Sequence, residues 1–231
     1  MKMKTIIFCS AFMSLLISEV NAQKSSAVLK VGINLANVSI NNNGNIDDAK
    51  TLTSFQAGII GNFGIAPFLA IQSGLVFTGK GTKAQQGTEG SATWSRATTN
   101  PYYLEVPLNF VFKTPTDPVK FFAGAGPYLG IGIAGKNKVR GAIGGISYSS
   151  ENTIKWSNDD PSTLDYEEGA GFGIMKRFDY GLNGLVGIET KSLVVSANYG
   201  LGLAKLQSGT NSGADNNNKH RVLSFTLGFK L

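Results

Sequence analysis

The segment from Arg221 to Leu231 constrains the fold more than any other part of the chain. Its odd positions from Leu223 onward (Leu223, Phe225, Leu227, Phe229 and Leu231) are large and apolar, while Ser224, Thr226, Gly228 and Lys230 alternate with them. A period of two over this length describes a β-strand with one apolar face and one polar or small face. Such a face needs either a second layer of protein or a bilayer. The same parity recurs in seven earlier segments. Together they predict an all-β fold: an eight-stranded antiparallel up-and-down transmembrane β-barrel with short periplasmic turns and long external loops.

The predicted strands cover residues 27–38, 54–65, 69–78, 101–113, 119–134, 178–189, 193–203 and 221–231. In the fourth, Tyr102, Leu104, Val106, Leu108, Phe110 and Phe112 oppose Tyr103, Glu105, Asn109 and Lys113. In the fifth, Phe121, Leu129, Ile131 and Ile133 oppose Phe122, Tyr128 and the row Gly124, Gly126, Gly130, Gly132. The connections alternate in length. Residues 39–53, 79–100, 135–177 and 204–219 are long and polar, whereas 66–68, 114–118 and 190–192 are tight. Outer-membrane barrels sort their connections this way, with an even number of strands about ten residues long. A soluble sandwich has no reason to do so, and a soluble ligand-carrying barrel would point its apolar parity inward. No stretch after the N-terminal segment has the continuous apolar length of a membrane helix, so a closed barrel is the way left to satisfy backbone groups in lipid.

Several geometric expectations follow. Closure should pair 221–231 with 27–38, removing both sheet edges. Leu223, Phe225, Leu227 and Phe229 should face lipid. Phe55, Phe77, Tyr102 and Tyr180 should form an external aromatic girdle, and Phe63, Phe112, Phe121 and Phe229 a periplasmic one. Pro107 and Pro127 remove ladder hydrogen bonds, which predicts a local bulge where the fourth and fifth strands meet. The longest connection, 135–177, has alternating pieces around 143–148 and 170–174 that would extend the flanking strands beyond the bilayer.

The chain opens with Lys2 and Lys4, an apolar run from Thr5 to Ile17, and a Val20-x-Ala22 site. This is the pattern of a secretory signal peptide cut before Gln23. The run is about 13 residues long, against the roughly 20 that a membrane anchor needs. The domain reading is a signal peptide at 1–22 and an outer-membrane β-barrel domain at 23–231, located in the cell outer membrane. Cys9, the one cysteine, lies in the signal, so the remainder offers neither a disulfide nor a thiolate. Without the signal the chain has 19 basic and 14 acidic residues, a net +5. No basic stripe interleaved with aromatics suggests nucleic acid.

The motifs that mimic chemistry are weak. Gly130-Ile131-Gly132-Ile133-Ala134-Gly135 has dinucleotide spacing, but Lys136-Asn137-Lys138-Val139-Arg140-Gly141 follows where a helix is required. The run from Gly74 to Gly81 nearly spells a phosphate loop, yet Gly81 stands in place of the hydroxyl residue after Lys80. His220 is the one histidine. A barrel hydrolase would pair it with Ser224 and with Glu189 or Glu105, but Ser224 is four residues on, roughly 13 Å along a strand. Asp47-Asp48, Asp159-Asp160 and Glu167-Glu168 lack the spaced oxygen ligands of a calcium loop. No catalytic, cofactor-binding or metal-ligating residue is assigned.

Glu105 is the inward charge that most needs a partner. Counting from the 114–118 turn puts it across from Gly126 or Tyr128, with Gly74 or Val76 on its other side. A buried carboxylate requires a donor, and Tyr128 is the expected one. Eight strands enclose an interior that side chains can fill, so this polar cluster should plug the barrel.

Five short words carry a family resemblance: Val31-Gly32-Ile33-Asn34, Tyr103-Leu104-Glu105-Val106-Pro107-Leu108, Ala125-Gly126-Pro127-Tyr128-Leu129-Gly130, Phe178-Asp179-Tyr180-Gly181-Leu182 and Tyr199-Gly200-Leu201-Gly202. On these the chain, from Lys30 to Leu231, resembles the PorT-like outer-membrane β-barrel family of Bacteroidetes. The resemblance implies an outer-membrane barrel, some of whose relatives serve secretion or gliding machinery, and it brings no catalytic motif. The expected function is a non-enzymatic scaffold presenting external loops. Its expected partners are outer-membrane lipid and secretion-machinery or other envelope proteins, with no nucleic acid and a monomer in the membrane. The alternatives are a narrow pore for small solutes, a barrel-borne hydrolase and a secreted soluble barrel.

Overall fold

The computed structural model describes residues 25–39, 48–115, 117–158, 173–206 and 219–231. Residues 1–22, where a signal peptide is expected, lie outside them. Among the described residues thirteen strands follow one another: β1 (Ser26–Ser39), β2 (Asp48–Lys50), β3 (Leu52–Ala66), β4 (Leu69–Gly79), β5 (Thr82–Gln86), β6 (Trp94–Lys113), β7 (Lys120–Ile143), β8 (Ile146–Thr153), β9 (Lys155–Trp156), β10 (Ile174–Met175), β11 (Phe178–Glu189), β12 (Leu193–Gly202) and β13 (Lys219–Lys230). The eight expected strands are β1, β3, β4, β6, β7, β11, β12 and β13. They close as one antiparallel ring in chain order, with β13 returning to β1. That last seam pairs Leu29 with Phe229 and Ile33 with Phe225.

The alternating pattern decides which way each strand faces. Leu223, Phe225, Leu227 and Phe229 all lie on the outer wall and are exposed, as are Leu29, Val31 and Ile33 on the neighbouring strand. Phe121 and Leu129 are 60% and 68% exposed. Apolar surface this extensive around a closed ring suits hydrocarbon, not water. The long connections mark the external end. There Phe55, Phe77 and Tyr102 pack together on adjacent strands with ring centroids 5.2–5.9 Å apart, forming an arc of the external girdle.

Three details depart from the alternation argument. The ladder between β6 and β7 skips Leu108 and Asn109 beside the prolines, but its register is the same on both sides, with Pro107 opposite Tyr128 and Phe110 opposite Ala125. The bulge is instead at the external rim, where Tyr102 pairs with Ala134 and Tyr103 with Gly132, leaving Ile133 as the extra residue. Glu105 pairs with Val76 on one side, as expected, but with Gly130 on the other, not with Gly126 or Tyr128. Pro115 and Pro118 have no amide to offer a ladder, so the β6–β7 ladder ends at the pair Lys113 and Phe122, and the hairpin centre lies further toward the C-terminus than expected.

The third departure is length. β6 has 20 residues and β7 has 24, against roughly 9–11 needed to cross a bilayer. Residues 94–100 therefore extend a strand and are not loop. Beyond the girdle β6 and β7 stay paired and recruit β5, β2 and β8 into a five-stranded external sheet, ordered β2-β5-β6-β7-β8. The piece around 143–148 is a hairpin whose turn, Gly144-Gly145, has φ of 58° and 84°, a backbone that glycine adopts without strain. Ile174-Met175 does not extend β11; it pairs in parallel with Lys155-Trp156. Residues 170–172 lie outside the described part.

Candidate functional site

The inward parity of β4 runs Ala70, Gln72, Gly74, Val76, Thr78 and continues to Lys80, the first residue past the strand. The Lys80 amide donates to the Pro101 carbonyl at 3.0 Å, which keeps the backbone extended and turns the side chain into the lumen. Its Nζ lies 2.6 Å from Glu105 Oε2 and 2.9 Å from Asp179 Oδ2. The same ammonium sits 3.9 Å from the centroid of the Tyr128 ring, a cation–π contact made stronger by burial. The Tyr128 hydroxyl donates to Asp179 Oδ2 at 3.2 Å, and Asn183 Nδ2 donates to Glu105 Oε1 at 3.3 Å. One cation thus holds carboxylates from β6 and β11 across the lumen. All three charges are buried, and such a cluster is tolerated because each member has a partner.

Glu105 does point inward, but its main partner is Lys80, and Tyr128 serves Asp179 instead. Lys80 falls within a predicted connection and a false phosphate motif, although its parity aims it inward. Asp179 likewise shares parity with Asn183 and Glu189. What parity does not contain is which inward residues meet across the lumen.

Above this cluster the external mouth is roofed. Tyr103, fully buried, meets Trp156 edge-on at 5.6 Å and His220 edge-on at 5.3 Å. His220 Nε2 and the Tyr103 hydroxyl are 3.4 Å apart. Trp156 lies flat over Gly132, where any Cβ would overlap its indole. Val38, Ile154, Met175 and Leu206 pack with Trp156 as an apolar cap. Ile154 N–H donates to the Gly135 carbonyl at 3.0 Å and Gly132 N–H donates to the Arg177 carbonyl at 2.6 Å, tying the cap to β7, while Lys176 N–H donates to the Leu206 carbonyl at 2.7 Å within the cap.

Below the cluster is a cavity of about 80 Å³, reached by Lys30, Asn109, Asn198 and Ser224 as well as by Lys80 and Glu105. It has room for a few waters. Its floor is apolar. Val28, Val111, Phe122, Leu185 and Val194 turn inward from five strands and close the periplasmic half. Past them, Lys113 meets Glu189 at 2.9 Å and Lys230 approaches it at 3.6 Å in the periplasmic mouth. The lumen is therefore closed at two levels, by an ion cluster and by an apolar layer. Inward parity predicts the polar plug; the apolar layer beneath it is a further finding of the structure.

The triad candidates do not assemble. His220 meets Tyr103 near the external end, Ser224 lines the central cavity opposite Asn34 and Asn198, and Glu189 is at the periplasmic end. Gly130–Gly135 is mid-strand in β7, and Gly74–Gly79 closes β4. Asp47, Asp159-Asp160 and Glu167-Glu168 lie outside the described residues, and Asp48 stands in β2. Among the described residues no three His, Cys, Asp or Glu side chains gather as a metal site.

Comparison with known proteins agrees with the architecture. No curated protein matches the chain. Solved structures are similar, two proteins among them. The attachment invasion locus protein Ail of Yersinia pestis shares 13% identity over 90% of this chain and 100% of its own, with a TM-score of 0.40. Neisserial surface protein A (NspA) shares 15% identity over the same fractions, also with a TM-score of 0.40. Likenesses this distant carry no argument about function. The family described as "Outer membrane protein beta-barrel domain" matches residues 21–208, most of the length. With its closed ring, lipid-facing wall and sorted connections, the chain belongs to the outer membrane protein beta-barrel domain family and is a protein of the outer membrane.

Proposed function

We propose that the protein is a non-enzymatic outer-membrane scaffold that holds an external β-sheet ready for a protein partner. The observation that carries this reading is a combination: the lumen is closed at two levels, while β6 and β7 continue far beyond the bilayer and gather β2, β5 and β8 around them. A barrel made for solute flow would keep its interior open. A barrel made for display needs a rigid base, and a buried ion cluster with an apolar layer supplies one. Eight strands give an interior that side chains can fill.

The β7–β8 hairpin is the most prominent part of the display. Ile143, Ile146 and Tyr148 stand exposed at or beside its tip, and aromatic and branched apolar side chains free of polar partners are what protein interfaces bury. The narrower resemblance to PorT-like barrels, carried by Tyr103–Leu108 and Ala125–Gly130, supports a secretion-machinery or other envelope protein as that partner, with the barrel itself a monomer. Replacing residues 138–151 with a short Asn-Gly turn tests the proposal. The shortened barrel should still fold, as judged by its heat-dependent gel mobility, while a photo-crosslinker at position 148 of the full-length protein yields an envelope adduct in living cells. Stable conductance in planar bilayers with no such adduct would favour the pore instead, and turnover of labelled lipid would favour an enzyme.

A further inference from the structure

The bulge at Ile133 has a consequence for charge. By simple alternation, even positions of β7 face the lumen, as Gly124, Gly126, Tyr128 and Gly132 do. One extra residue reverses the parity beyond it. Gly135 and Asn137 now face inward, Asn137 sharing a hydrogen bond with the buried Thr99 at 3.0 Å. Lys136, Lys138 and Arg140 turn to the outer wall. Their direct cross-strand neighbours on β6 are Asn100, Thr98 and Arg96, and Thr98 in turn faces Lys83 on β5. Among the described side chains, five cations from three strands thus share one outer face, immediately above the girdle formed by Phe55, Phe77 and Tyr102.

Among the described side chains, two carboxylates answer them. Glu151 accepts from Lys136 at 2.7 Å and Lys138 at 3.2 Å, and Glu89 accepts from Arg96 at 2.7 Å. Among the described residues Lys83 and Arg140 have no ion pair. The band keeps a clear positive excess, and it sits on a lipid-side wall.

We propose that this band binds the phosphate groups of a phosphorylated glycolipid in the external leaflet. Charge complementarity selects an anion, and basic residues beside a bilayer attract anionic headgroups. The height of the band selects the headgroup. Lys136 is two residues and Arg140 six residues past Ala134, which pairs with the girdle residue Tyr102. At about 3.3 Å per residue and a tilt near 40° these rise roughly 5 Å and 15 Å above the girdle. The headgroup zone of a phospholipid is only about 5–8 Å deep on each side. A sugar-based headgroup carrying several phosphates reaches the whole band. Lysine supplies point charges to it, and Arg140 can grip a phosphate through two parallel N–H donors.

The proposal rests on the outer-membrane location and not on the existence of a protein partner. It is tested with the full barrel in phosphatidylcholine nanodiscs containing lipid A with both phosphates, or the same lipid dephosphorylated. Lipid retained on the protein is counted by native mass spectrometry. The phosphorylated form should be retained about fivefold over the other, the effect of roughly one basic residue next to an anionic headgroup. The preference should collapse in high salt and in the combined Lys83→Ser, Lys138→Ser, Arg140→Ser variant. Equal retention of the two forms by the wild type overturns the proposal even if the variant does not fold. So does a folded variant that keeps the preference. Phosphatidylglycerol retained as strongly as phosphorylated lipid A would overturn the glycolipid assignment.

Discussion

Replacing Lys80 with Met should destabilise the barrel more than any other single change of charge in the lumen. The substitution keeps the length of the side chain and removes its charge, leaving Glu105 and Asp179 buried without a cation. Breaking a buried ion pair by removing one partner costs about 3–5 kcal/mol. Glu105 retains the Asn183 amide and Asp179 retains the Tyr128 hydroxyl, so the lower part of that range, about 3 kcal/mol, is expected. Glu105→Gln is milder. Lys80 keeps Asp179 as its counter-charge at 2.9 Å, and the amide fills the same space, so the loss should be about 1–2 kcal/mol. Combining Lys80→Met with Glu105→Gln and Asp179→Asn removes every charge of the cluster and should recover much of the loss, because uncompensated desolvation is the main cost. Urea unfolding in lipid vesicles, followed by tryptophan fluorescence and by heat-dependent gel mobility, measures all three. A Lys80→Met barrel within about 0.5 kcal/mol of wild type, the usual scatter of surface changes, would refute the reasoning. So would a triple variant no more stable than the single one.

Two closures in series make a prediction about conductance: neither the wild type nor Glu105→Gln should form a stable ohmic channel in planar bilayers, and Phe122→Ala, which thins the apolar layer, should remain closed because the ion cluster is intact. A reproducible channel whose selectivity follows the charge at residue 105 would contradict this. Gly132→Ala should push Trp156 off its seat and loosen its edge contact with Tyr103, at a cost of about 1–3 kcal/mol from overpacking; an unchanged near-UV signal and unchanged tryptophan emission would count against the roof as described. The β7–β8 hairpin should respond to acid. Hydrogen bonds from Lys136 and Lys138 hold the Glu151 carboxyl below its ordinary 4.5, and Glu151 in turn raises the Lys136 ammonium above its ordinary 10.5. A depressed carboxyl stabilises the paired hairpin above its unpaired value, and that contribution is lost as pH falls through the depressed one. Protection factors of residues 136–153, exchange rates divided into the intrinsic rate at each pH, should therefore be equal at pH 7 and pH 5.5 and smaller below the ordinary glutamate range, and Glu151→Gln should remove the dependence.

Alternation is a local property, and whatever depends on it alone was legible in the residues. The eight ring strands, the lipid-facing row from Leu223 to Phe229, the closure of β13 on β1 and the inward aim of Glu105 all follow from a period of two with contrasting faces. The same logic explains where reading stopped. Trp94–Asn100 and Lys136–Arg140 are strands outside the bilayer, where both faces can be polar, so there is no contrast to see. Their pairing is set by neighbouring strands and not by a lipid boundary. Bulges and turn centres are also invisible to a parity count: one unpaired residue at Ile133 moved Lys136, Lys138 and Arg140 from lumen to outer wall, and two prolines carried the partner of Glu105 to Gly130. Only the closed ring could decide which inward side chains meet. Lys80 and Asp179 lie 99 positions apart, and the buried charge of each is tolerable because curvature brings β4 and β11 across one narrow lumen. A strand pattern specifies the direction of a side chain; its partner depends on the register and the diameter of the barrel.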